Sequence, residues 1–106
     1  MSSDTNYHVL NLIEQNPELS QRQLASELGI SLGKVNYCLR ALIEKGFVKS
    51  QNFKKSDNKT AYLYLLTPKG VREKTRVTHR YLQRKLREYD EIGAEIARLQ
   101  AKLDAD

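Results

Sequence analysis

Within residues 19–45, two serines, each flanked by apolar residues at fixed distances, mark the starts of two consecutive helices with a single glycine between them. Ser20 and Gln23 have capping-box spacing, and Leu19 and Leu24 stand where a hydrophobic staple closes over that cap. The helix they open runs to about Leu28, after which Gly29 supplies a left-handed turn residue. Ser31 caps the next helix, with Ile30 and Val35 placed as a second staple. Two helices joined by so short a turn must cross steeply, and this crossing constrains what can pack around them.

Elements on either side fit that crossing. An earlier helix starts near Ser3 or Asp4, carries Val9, Leu10 and Ile13 at helical spacing, and ends before Pro17. Along the helix after Ser31, Val35, Leu39 and Leu42 recur on one side with Cys38 and Ile43 beside them, which assigns that side to the core. Gly33, Lys34, Asn36, Tyr37 and Arg40 fall largely on the other side. Gly46 ends this helix. Residues 47–53 then mix aromatic, valine and polar side chains as a half-buried strand does, and residues 61–66 return with Leu63 and Leu65 on one face and Tyr62 and Tyr64 on the other. Between them lies a loop of Lys54, Lys55, Ser56, Asp57, Asn58 and Lys59. The expected fold is mostly α with a small β-hairpin wing, an α+β winged helix-turn-helix.

Composition narrows the function classes. The chain has 106 residues, a formal charge of +5, one cysteine and two histidines. A single cysteine, Cys38, leaves no intrachain disulfide, and the histidines His8 and His79 make no zinc-ligand spacing, so no metal and no cofactor are expected. No stretch approaches the ~20 apolar residues of a membrane span, and no signal-like N-terminus is present, so the expected setting is the cytoplasm without a membrane partner. Catalysis has no support either. Phosphate-cradling glycine loops, paired catalytic carboxylates and nucleophile motifs are all missing, and Glu88, Asp90, Glu91 and Glu95 read as a solvated helix face.

Charge is sorted along the chain. Residues 69–87 hold eight basic and one acidic side chain, whereas residues 88–106 hold two basic and six acidic ones. Thr67 caps and Pro68 opens a last helix that nothing after Gly70 interrupts except Gly93, which implies about 35 residues and about 50 Å. A small domain cannot cover such a length. Leu82, Leu86 and Tyr89 step by four and three, and Ile92, Ile96, Leu99 and Leu103 step by four, three and four, giving two heptad-like stretches with a phase slip between them. That stripe needs a partner helix, and with no loop for a reversal the expected partner is intermolecular. The charge sorting favours antiparallel pairing near Tyr89, since parallel pairing would align like charges. The expected organisation is therefore residues 1–67 as a binding domain and residues 68–106 as a dimerisation helix continuous with it.

The stretches ENPELSQRQLASELGISLGKVNYCLRALIEKGFVK and QNFKKSDNKTAYLYLLTPKG resemble MarR-type winged-helix transcriptional regulators, in particular the short subgroup found with exopolysaccharide loci. The similarity spans residues 9–86 and rests on the LSQRQLASELGIS entry, the LIEKGFV exit and the LTPKG start of the last helix. It implies a homodimer that binds double-stranded DNA, with Ser31, Lys34, Asn36, Tyr37 and Arg40 at recognition-helix positions and Lys54, Lys55 and Lys59 on the wing. Typical family members bring an additional N-terminal helix into a dimer core that often holds a small-molecule pocket. This chain is expected to start after that helix, so no effector site is assigned. Cys38 reads as a small buried hydrophobe and not as a thiol sensor.

Residue chemistry supplies the same expectation independently. Arginine gives bidentate hydrogen bonds to guanine, asparagine gives them to adenine, and the tyrosine hydroxyl reaches a phosphate or base edge. Asn36, Tyr37 and Arg40 are thus the expected base or near-base contacts, with Gly33 permitting close approach. Gln21, Arg22, Ser31 and Lys34 would position the DNA backbone, and Lys54, Lys55, Asn58 and Lys59 would grip the flank. Dimerisation falls to Leu82, Leu86, Tyr89, Ile92, Ile96, Leu99 and Leu103. The alternative is a protein-interaction adaptor whose last helix docks a different protein.

Overall fold

The computed structural model describes residues 3–54 and 60–105. Its elements run α1 (Ser3–Gln15), α2 (Gln21–Leu28), α3 (Leu32–Glu44), β1 (Val48–Lys54), β2 (Thr60–Leu66) and α4 (Pro68–Ala105). The order is that of a winged helix-turn-helix with a long helical extension. Both serine caps form as the spacing requires. Ser20 Oγ accepts from the Gln23 amide at 3.1 Å while Gln23 Oε1 accepts from the Ser20 amide at 2.8 Å. Ser31 Oγ accepts from the Lys34 amide at 3.1 Å. Between them Gly29 sits at φ +66°, a left-handed conformation in which a side chain would be strained.

Three helices and the hairpin close over one core. Val9, Leu10 and Ile13 of α1, Leu24 and Ala25 of α2, and Val35, Cys38, Leu39 and Leu42 of α3 are buried together with Val48, Tyr64 and Val77. The apolar stripes read from α1 and α3 are thus the core faces, although Ile43 lies at the rim with 37% of its surface exposed. β1 and β2 pair antiparallel from Val48 opposite Leu66 to Lys54 opposite Thr60. On β2 the alternation is as expected, and the residue it turns furthest inward is Tyr64.

At the root of α4 the chain is tightly fixed. The Phe47 carbonyl accepts from the Thr67 amide at 3.1 Å, Thr67 Oγ1 donates to the Gly46 carbonyl, and the Gly70 amide donates back to Thr67 Oγ1 at 2.9 Å. Lys69 adds a hydrogen bond from Nζ to the Lys45 carbonyl at 3.0 Å and lies over the Phe47 ring. A Cβ built on Gly70 would come within 1.9 Å of the Phe47 carbonyl oxygen, so only glycine permits this backbone approach.

From there α4 runs unbroken for 38 residues and gives the molecule its 70 Å long dimension. Its first half packs along α1. Tyr81 stacks on Tyr7 with ring centroids 4.5 Å apart, Arg84 pairs with Asp4 at 3.0 Å, Lys74 pairs with Glu14, and Val77 is buried. Beyond Glu88 every described residue of the helix is exposed. Leu82, Leu86, Tyr89, Ile92, Ile96, Leu99 and Leu103 keep between 49% and 76% of their surface open to solvent. No described helix is long and apolar enough to cross a membrane.

Candidate nucleic-acid interface

The outward face of α3 presents Gly33, Lys34, Tyr37 and Arg40 to solvent. Tyr37 is 66% exposed. Together with Asn36, Ala41 and Glu44, three of these, Gly33, Tyr37 and Arg40, line a shallow open concavity of about 510 Å³. A Cβ on Gly33 would meet nothing within 4 Å, so the helix surface there is bare and a ligand backbone can come close. Ser31 and Arg22 are exposed beside this face, Ser31 with its hydroxyl already engaged as the cap.

Asn36 and Gln21 hold different positions from their neighbours. Asn36 Nδ2 donates to Gln21 Oε1 at 3.2 Å, and Gln21 Nε2 donates to the Tyr64 hydroxyl at 3.1 Å. The Tyr64 amide in turn donates to the Pro17 carbonyl at 3.1 Å. One chain of hydrogen bonds therefore ties α3, α2 and β2 together beneath the exposed face, and both polar ends of the Gln21 amide are used within the protein. Asn36 keeps an acceptor oxygen and one N–H for an outside partner. Such a network fixes the angle between the helix that would enter a groove and the hairpin beside it.

Tyr64 is the member of this network that sequence reasoning missed. Its signal was a tyrosine on a core-facing strand position, a side chain whose polar end finds a hydrogen-bond partner when buried. Glu44 also lines the α3 concavity, and its carboxylate would repel a phosphate brought against that end of the helix.

On the wing, β1 and β2 carry the hairpin outward as far as Lys54 and Thr60. Lys55, Asn58 and Lys59, the expected flank contacts, lie outside the described residues, as does the side chain of Lys54. Cys38 is fully buried behind α3, its Sγ 3.4 Å from Asn6 Oδ1, and burial pushes its thiol above the usual cysteine range. It stays protonated and inert at neutral pH. Among the described residues no group of three or more His, Cys, Asp or Glu is arranged to hold a metal ion.

Comparison with known proteins bears on the fold. Residues 2–49 match the family model described as winged helix-turn-helix DNA-binding. The fold is similar to that of the PcaV transcriptional regulator of Streptomyces coelicolor in complex with its natural ligand, at 24% identity and a TM-score of 0.62, covering 78% of this chain and 57% of that one. It is also similar to a variant of ZitR from Lactococcus lactis, at 28% identity and a TM-score of 0.62 over 86% and 60% of the two chains. A MarR-family transcriptional regulator from Rhodococcus sp. RHA1 superposes with a TM-score of 0.64 at 22% identity, over 80% and 59%. The chain spans less than two thirds of the length of each of these structures. A search of curated proteins gives no match. The architecture is a winged helix-turn-helix, the fold of these solved regulators.

Proposed function

We propose that this MarR-type winged helix is a sequence-specific regulator of transcription that binds double-stranded DNA as a homodimer, in the cytoplasm, on a pseudo-palindromic site. The observation that carries this reading is the exposed face of α3, where Lys34, Tyr37 and Arg40 stand clear of the core beside a wing braced through Tyr64. In this reading α3 enters the major groove, Arg40 and Tyr37 reach base edges, and Asn36 uses its spare donor and acceptor. Arg22, Ser31 and Lys34 position the backbone, while Gln21 acts from within by holding Asn36. The wing lysines Lys54, Lys55 and Lys59 and the neighbouring Asn58 take the flanking phosphates.

Dimerisation is assigned to the exposed apolar residues of α4, which a solvated monomer has no reason to space at heptad intervals. The likeness to exopolysaccharide-associated regulators directs the search for target genes to such loci. The same unpaired stripe supports a second reading, a winged-helix adaptor whose α4 docks a different protein.

Selection of bound sequences from a random duplex library, with light scattering on the same sample, tests both. A two-fold related motif bound by a dimer supports the regulator; absence of any motif, with weak and steeply salt-sensitive binding, refutes it and favours the adaptor. With the selected site in hand, Arg40→Ala should cost about 1–3 kcal/mol and relax the preference at one position, whereas Lys55→Ala should weaken all sequences alike. Equal loss on every sequence for Arg40→Ala would refute base reading by that residue.

A further inference from the structure

The stripe on α4 does not stop at Leu82. Continued toward the helix start it passes through Thr78, Thr75 and Val71 at steps of four, three and four, and these three residues with His79, Lys74 and Glu14 line a concavity of about 340 Å³ at the junction of α4 and α1. Its polar groups are largely occupied. Thr75 and Thr78 donate to the Val71 and Lys74 carbonyls at 3.2 and 2.6 Å, and Lys74 is paired with Glu14. The surface that results is a socket with Val71, Thr75 and Thr78 along its floor and Glu14, Lys74 and His79 around them, in line with Leu82, Leu86 and Tyr89.

We infer that α4 pairs antiparallel with α4 of a second copy about a two-fold axis at Tyr89, so that Leu99 and Leu103 of each copy seat in the α1–α4 socket of the other. This deepens the dimer reading above and rests on it. About that axis Leu82 meets Ile96, Leu86 meets Ile92 and Tyr89 meets its own counterpart, while His79 faces Leu99 and Thr75 faces Leu103. Leu82, Leu86, Tyr89, Ile92, Ile96, Leu99 and Leu103 are all covered, and the overlap runs for about eight turns.

Charge selects this arrangement from the two competitors that also close the stripe. A parallel pair lays the basic 69–87 segment, with eight positive and one negative side chain, against itself. An antiparallel pair centred between Ile92 and Gly93 also matches leucine to leucine, but it lays Glu88, Asp90, Glu91 and Glu95 against the same four residues of the other copy. The axis at Tyr89 instead places the basic segment opposite the acidic 91–106 segment, with Lys85 beside Glu95 and Arg72 beside Asp104 of the second copy. At the axis itself Glu88 of each copy stands opposite Asp90 of the other, an acidic contact that Lys85, 3.1 Å from Glu88, offsets in part.

Cysteine cross-linking of the full chain tests the register. All three positions used are on the surface of α4, Thr75, Leu82 and Leu103, and Cys38 is buried. A size-tagged Thr75→Cys copy co-expressed with a Leu103→Cys copy should give a mixed disulfide dimer under mild oxidation. Dimers of Thr75→Cys with itself, or a mixed dimer of Leu82→Cys with Leu103→Cys in its place, would overturn the register. Light scattering separates the two levels: a dimer with the wrong cross-link overturns only the arrangement, and a monomer at tens of micromolar overturns the dimer reading as well.

Discussion

The winged-helix body and the outer half of α4 differ in how they satisfy themselves. In the body each helix start described between α1 and β1 is capped, each turn glycine has a conformational reason, and most of the large apolar residues converge on one core. In the outer half of α4 the apolar residues are as regularly spaced, yet every one remains open to water. Regular spacing therefore means self-sufficiency in one region and an unmet need in the other. What distinguishes them is whether the chain returns to cover its own apolar face.

Substitutions at two glycines of the same helix should break or confirm that contrast most sharply. Gly70→Ala drives a methyl group into the Phe47 carbonyl, which no side-chain rotation can relieve, and should lower the stability of the body by about 3 kcal/mol or more in urea unfolding. An unchanged midpoint would show that the root of α4 is loosely held. Ser31→Ala removes a cap inside the body and should cost about 1 kcal/mol in the same measurement. Gly93→Ala, where nothing lies within 4 Å, should stabilise the helix by about 0.5–1 kcal/mol, seen as increased helicity on heating. The smallest effect concerns acid. A hydrogen-bonded Arg76 holds the Glu73 carboxyl below the usual glutamate range, so its contribution is present above that range and lost as pH falls through the lowered value. Glu73→Gln should slightly flatten the loss of stability between neutral and acid pH, and a steeper loss would contradict the pairing.

How much could be read from the residues follows the same division. Ser20 with Gln23, Gly29, Ser31 and the Thr67 cap are local signals, each completed within a few residues, and the structure forms them all. The link from Gln21 to Tyr64 joins positions 43 residues apart, and no spacing rule reaches that far. Asn36 was legible as a base-contact candidate, but its tie to Gln21 was not, because that partner lies on a different helix. Gly70 was visible as part of a motif, but its reason lies in the approach of a strand-entry carbonyl that only the assembled fold brings near. The stacking of Tyr7 on Tyr81 was hidden likewise, since α4 was read for the stripe it exposes and not for the flank it lays against α1.

The locked junction of Gly46, Phe47, Thr67 and Gly70 sets a dimension. It joins the exit of α3 to the start of α4 through backbone contacts, so the two helices behave as the arms of a caliper whose pivot has been welded. If two such chains join along α4 as proposed, the distance between their α3 helices is a fixed length of the assembly. A target site with its halves one base pair too close or too far would then be rejected by ruler as well as by sequence.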